Sequence, residues 1–360
     1  MAVGCGFESH RLGYASGVRG SSTIVVSAIC LLALPLSVGS PKAAPAAVKN
    51  GRIVFERLDP KLGRLRLYTI AGDGADVRAI MTAGAPDRID SQASWSPDGR
   101  RVAFRRLSNV GGAHERVDLY VVNENGTGLR NLTRARCTGS CPASEEPAWS
   151  PDGKRIAFSR TIGGVSSAGK SRQVVGIFVV HADGSHVRQL TQRRPTGTED
   201  HAPAWSPDGS RIAFMRENTT TKPAGASVIY VMNANGTHAF VVRTIPHQWR
   251  AGGAPTWSPD GKKILYTNAC WFGDCGQPRT GAQLYTVNAT GGGLRALTHL
   301  AGNVERGCWS PDGKKIVFVW NARVGPTGDV YTINANGKGL RRLTHAPALD
   351  AGDPSWGRGR

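Results

Sequence analysis

Short apolar runs recur along this chain, each cut off by a polar turn. One run is Lys154-Arg155-Ile156-Ala157-Phe158 and another is Gly176-Ile177-Phe178-Val179-Val180. Their β-branched and aromatic residues suit a pleated, half-buried surface, so both predict strands. Pro147-Ala148-Trp149 precedes the first run, separated from it by Ser150-Pro151-Asp152-Gly153. In that turn Pro presets φ, Asp caps its own backbone and Gly accepts a positive φ. The two runs therefore predict a hairpin. His181-Ala182-Asp183-Gly184 is a second turn, and Val187–Thr191 reads as a fourth strand.

The pattern repeats. Trp-Ser-Pro-Asp-Gly stands at Trp95–Gly99, Trp149–Gly153, Trp205–Gly209, Trp257–Gly261 and Trp309–Gly313, and Trp356-Gly357 is a degenerate copy. Successive Trp residues are 54, 56, 52, 52 and 47 positions apart. A fixed signature at that period marks a repeat architecture. The strand-and-turn segments Leu119–Gly126, Ile229–Gly236, Leu284–Gly291 and Val330–Gly337 match Gly176–Gly184. Four antiparallel strands per repeat make a propeller blade. Residues 50–82 supply second, third and fourth strands without a first, and Asp353–Trp356 supplies a first strand alone. The expected fold class is all-β, a six-bladed β-propeller over residues 50–357. Its ring is closed by pairing of the N- and C-terminal segments, which hides a sheet edge.

The motif Pro-x-Trp-Ser-Pro-Asp-Gly-x-Lys/Arg-Ile-Ala-Phe, followed by Ile-Tyr-Val-x-Asn-x-x-Gly and Leu-Thr, resembles the TolB-type propeller repeat, a WD-like repeat. The resemblance covers residues 50–357 and lacks the α/β domain that precedes the propeller in TolB. It implies a binding role at the channel mouth, where TolB receives the peptidoglycan-associated lipoprotein and peptide segments. The fold is also similar to metal-dependent pectate-fragment lyases and to the gating propeller of prolyl-oligopeptidase-type peptidases.

Turn lengths separate two ends. The turns after the first and third strands are short and near-uniform. The connections after the second and fourth strands are long and varied, as in Arg105–Val117 and Thr161–Val175. Varied loops on a rigid scaffold are where binding usually resides. The loops leading into the inner strands carry Asp90, Glu145, Glu146, Asp200, His201, Glu305, Asp350 and Asp353, with Trp249 and Arg250 before the fifth copy. These residues are the expected rim of the channel mouth. Carboxylates there either hold a cation or a basic partner, or accept hydrogen bonds from loop amides.

No catalytic signature is present: no H-E-x-x-H, no phosphate loop and no dinucleotide fingerprint. No metal or cofactor is expected. The rival reading is a metal-dependent lyase or hydrolase acting on carbohydrate or peptide at the mouth, with His201, His299 and His345 as ligands if they converge.

Arg11 and Arg19 precede an apolar run from Ile24 to Val38, and Ala44-Pro45-Ala46 offers a cleavage site. Residues 1–46 are expected to be a signal peptide or N-terminal anchor, and 47–49 a linker. The location expected is extracytoplasmic: periplasmic, cell-envelope or secreted. In an exported chain Cys137 with Cys141, and Cys270 with Cys275, read as two local disulfides, with zinc as the rival. Cys308 reads as an apolar filler.

The formal net charge is +19. Its basic residues recur at repeat positions such as Arg100-Arg101, Lys154-Arg155 and Lys314-Lys315, which reads as a spread around the ring and not onto one face. The expected role is that of a monomeric, non-catalytic scaffold. Its partner is a protein or an anionic envelope polymer and not nucleic acid, without stable membrane insertion once the signal is cleaved.

Overall fold

A computed structural model describes residues 48–359, apart from 60, 81–86, 113–114, 135–141, 162–164, 168–169, 173, 193–196, 219–226, 246–249, 252–253, 270–280, 323–327 and 346–350. The expected signal, both cysteine pairs, Trp249 and Asp350 lie outside the described residues. Those residues are all-β, and no helix among them is long and apolar enough to cross a membrane.

Each repeat forms an antiparallel sheet led by its Trp strand. The Trp95 sheet runs Arg88–Trp95, Arg101–Ser108, Arg116–Asn123 and Arg130–Asn131. The Trp149, Trp205, Trp257 and Trp309 sheets follow the same order. One parallel pair, Val175 with Glu199, joins the Trp149 and Trp205 sheets. The C-terminal strand Ala351–Arg358 pairs antiparallel with Asn50–Asp59, and Arg64–Ile70 and Arg78–Ala79 complete that sheet.

The core sits between the sheets. Each buried cluster draws from two consecutive repeats. Ala103, Leu119 and Val121 meet Trp149, Ile156 and Phe158, and Val317 and Val330 meet Ile53, Phe55 and Trp356. The inner and middle strands thereby bury apolar residues on both faces, one face per neighbour. Arginines reinforce the seams: Arg101 lies 4.8 Å over the Trp149 ring, Arg155 4.7 Å over Trp205 and Arg211 5.2 Å over Trp257.

The Ser-Pro-Asp-Gly turn closes on itself. Asp98 Oδ1 accepts from the Ser96 hydroxyl at 2.5 Å and from the Arg100 N–H at 3.1 Å, and Ser96 Oγ accepts from the Arg101 N–H at 2.9 Å. Gly99 takes a φ of 66° there, which a side chain resists.

Two expectations are corrected. The long strands absorb residues assigned to loops: Arg105–Ser108 and Arg116–Val117 belong to strands, and Thr161–Val175 contains a small hairpin of Val165–Ser167 with Lys170–Arg172. The basic repeat residues do gather at one end. The first residue of each second strand lies opposite the last of the third, as Arg101 opposite Asn123 and Lys315 opposite Asn334. Both positions adjoin the short turns, so one position recurring around the sheets becomes one charged end.

Candidate functional site

The third residue before the repeat Trp breaks the inner strand. Gln92, Glu146, Ala202, Arg306 and Asp353 hold φ values from 34° to 56°, and the pairing register slips beside them, as between Ser91 and Ser94. These are β-bulges, which turn a side chain and an amide out of the ladder. The charged residues expected in lead-in loops are thus in strands: Asp90 in Arg88–Trp95, Glu145 and Glu146 in Ser144–Trp149, Asp200 and His201 in Thr198–Trp205, Glu305 in Asn303–Trp309, and Asp353 in Ala351–Arg358.

The bulges bond to one another. The Gln92 N–H donates to the Glu56 carboxyl. The Glu146 N–H donates to the Gln92 side-chain carbonyl at 3.0 Å, and the Ala202 N–H to the Glu146 carboxylate at 2.7 Å. These three amides freed by bulges are thereby satisfied by side chains of the preceding sheet. Arg306 closes the cluster. Its Nε lies 2.7 Å from Asp353, and a terminal nitrogen 3.6 Å from Glu146, on a sheet far from its own in sequence. The Arg306 side chain is 28% exposed, so this cluster is reachable from outside.

Burial, then the neighbouring Asp353, pushes the Glu56 carboxyl well above the ordinary carboxylate range. Glu56 and Asp353 hydrogen-bond side chain to side chain, an arrangement that needs a proton on one of them. Burial also acts to raise Glu146, but Arg306, His201, the Ser159 hydroxyl and the Ala202 amide outweigh it and hold its carboxyl below the ordinary range. Burial opposes charge on His201, yet its 3.1 Å contact with Glu199 and the nearby Glu146 raise its pKa.

The other expected rim residues serve the sheets. Asp90 takes a bidentate pair from Arg106 at 2.6 and 2.8 Å, and Asp200 the same from Arg216 at 2.6 and 2.9 Å. Arg106 is 5% exposed and lies 4.8 Å over the Tyr120 ring, and Arg216 repeats this over Tyr230. Glu145 pairs with Arg105 at 2.8 Å, and Glu305 accepts from Asn321 at 3.3 Å. Arg250 opens the short strand Arg250–Ala251. His201, His299 and His345 do not meet. The last two are exposed beyond outermost strands, and the described residues hold no group of three metal-ligating side chains. Cys308 packs beside the core, and burial raises its thiol.

Glu56, Gln92 and Arg306 were missed. Gln92 and Arg306 share the third-before-Trp position with Glu146 and Asp353, a signal readable from the repeat. Glu56 lies in a second strand and gave none.

Sheets led by matching Trp strands, with seam cores between them, define a β-propeller. The chain belongs to the TolB beta propeller domain family, whose model matches residues 135–269 and 195–324, together more than half of the sequence. It is 27% identical over 278 residues to the TolB homolog of Chlorobium chlorochromatii, covering 72% of this chain and 57% of that protein. It is also 27% identical over 204 residues to the uncharacterized peptidase YuxL of Bacillus subtilis, covering 49% of this chain but 29% of the peptidase. Among solved structures it is similar to TolB from Acinetobacter baumannii, with a TM-score of 0.60 at 19% identity, over 85% of this chain and 66% of that one. The chain therefore spans less than two thirds of the curated relatives it matches.

Proposed function

We propose that this chain is an exported, non-catalytic binding scaffold that engages a protein or an envelope polymer through its long-loop end and channel mouth. The reading takes the propeller as six-bladed and closed by its termini. Consecutive inner strands pack against one another, and the C-terminal strand against the first and last repeats, which supports that closure. One observation carries the binding role. The central side chains Glu56, Gln92, Glu146, Arg306 and Asp353 are held by one another and by bulge amides, yet Arg306 and His201 are each 28% exposed at this centre. Such a site presents charge in a fixed geometry at small ordering cost. Ala202 and Ala254 occupy the same repeat position on two adjacent sheets.

A photoreactive side chain at residue 202 tests this in the native host. A discrete adduct, lost in Arg306→Glu and absent when the photoreactive group stands at exposed residue 61, supports the scaffold. A stoichiometric transition metal in the purified protein, with a turnover lost to chelator, replaces it with the lyase or hydrolase reading.

A further inference from the structure

The short-turn end carries exposed cations that recur from sheet to sheet. At the centre and the loop end, five arginines have close carboxylate partners: Arg66 with Asp59, Arg105 with Glu145, Arg106 with Asp90, Arg216 with Asp200, Arg306 with Asp353. At the turn end Arg52 and Arg78 share Asp76. Arg100, Lys154, Lys262 and Lys314 stand exposed on four different sheets, each one residue past a Ser-Pro-Asp-Gly turn.

The carboxylates nearby are already committed. Each turn Asp bonds its Ser hydroxyl and the backbone N–H two residues on, and these bonds draw Asp208 down to about 2. Asp152 is held below the ordinary range against its burial, by the Ser150 hydroxyl and the Lys154 N–H.

Where two sheets meet, the cations converge. Arg101 and Arg130 from the Trp95 sheet, and Lys154 and Arg155 from the Trp149 sheet, line one cleft of about 480 Å³ together with His181 and two carboxylates, Asp152 and Asp183, each bonded into its own turn. Stacking on Trp149 and Trp205 fixes Arg101 and Arg155 in advance, and Arg130 is tied by a donor to the Ala182 carbonyl. A planar carboxylate is satisfied by one guanidinium fork. Donors arriving from two sheets at once suit a tetrahedral oxyanion, with oxygens facing several ways. Exposed cations on further sheets extend the surface beyond one group.

We propose that the short-turn end docks a linear phosphodiester polymer, one phosphate seated in the Arg101–Arg130–Lys154–Arg155 cleft and its neighbours running past the exposed turn cations. This surface is separate from the loop-end site and does not depend on that reading.

The test uses the full mature chain with fluorescent poly(glycerol phosphate), and polygalacturonate of equal charge as comparator. Wild type is expected to bind the phosphate polymer with an affinity that falls steeply with salt. Arg100→Gln/Lys154→Gln/Lys262→Gln/Lys314→Gln removes only exposed charges. It is expected to weaken binding at least tenfold and to flatten the log–log salt slope by about 3, since each lost phosphate contact removes about 0.7–0.9. Lys61→Gln/Arg64→Gln, away from the turns, leaves binding within about twofold. No binding by wild type, an unchanged slope in the fourfold variant, or equally tight binding of polygalacturonate overturns the proposal.

Discussion

The centre of this propeller and its short-turn end use arginine in opposite ways. At the centre Arg306, and outside it Arg106, lie against carboxylates, and their charge is balanced within the fold. At the turn end, Arg101 and Arg155 lie on Trp faces, and the neighbouring Asp98 and Asp152 are bonded into their turns. A buried guanidinium must be matched because desolvation without a partner costs several kcal/mol. One at the rim of a turn keeps its hydration and need not be. The lesson is that net charge says little until pairing is known. Exposed turn cations stand beside carboxylates already bonded within the turns.

The comparison breaks first at its most buried pair. Arg106→Leu leaves Asp90 buried without a counter-charge, and should cost about 3–5 kcal/mol in denaturant unfolding. Replacing both residues by Leu should cost markedly less. Equal losses would mean that the pair itself, and not the stranded charge, sets the penalty. Arg306→Met comes next. Its partial exposure screens the cluster, so about 2 kcal/mol is expected at neutral pH.

Glu56 gives a smaller effect with a definite sign. Its carboxyl keeps its proton to higher pH when folded, so the native state binds more protons than the unfolded chain above the ordinary value of 4.5. Stability should therefore fall as pH rises from there through the raised value. Glu56→Gln removes the titration and should gain about 1–2 kcal/mol on wild type at pH 8, with little difference at pH 4. The smallest change is expected at the turn end. The fourfold Gln variant of Arg100, Lys154, Lys262 and Lys314 should unfold within about 0.5 kcal/mol of wild type, because all four charges are exposed and screened by solvent.

The repeat made the architecture readable. Trp-Ser-Pro-Asp-Gly fixes a hairpin through its own Asp and Gly, so the strand order followed from residues a few positions apart. The site was readable only in part. Asp90, Glu146 and Asp353 all stand just before a Trp and looked alike. What separates them is the bulge three residues before that Trp: it sends Glu146 and Asp353 to the centre, while Asp90, outside it, pairs with Arg106. Glu56 reaches the same cluster from a different strand, and only folding reveals that. The basic end was legible in principle. Arg100 and Lys154 both follow first-strand turns, and antiparallel order puts third-strand turns beside them, but a count around the ring concealed the shared end.

The most direct test of the contrast is where a tetrahedral dianion collects. Crystals soaked in selenate, and read by anomalous scattering, should show anions in the cleft of Arg101, Arg130, Lys154 and Arg155 and none at Arg106, Arg216 or Arg306. Selenate at Arg306, with the cleft empty, would contradict the account.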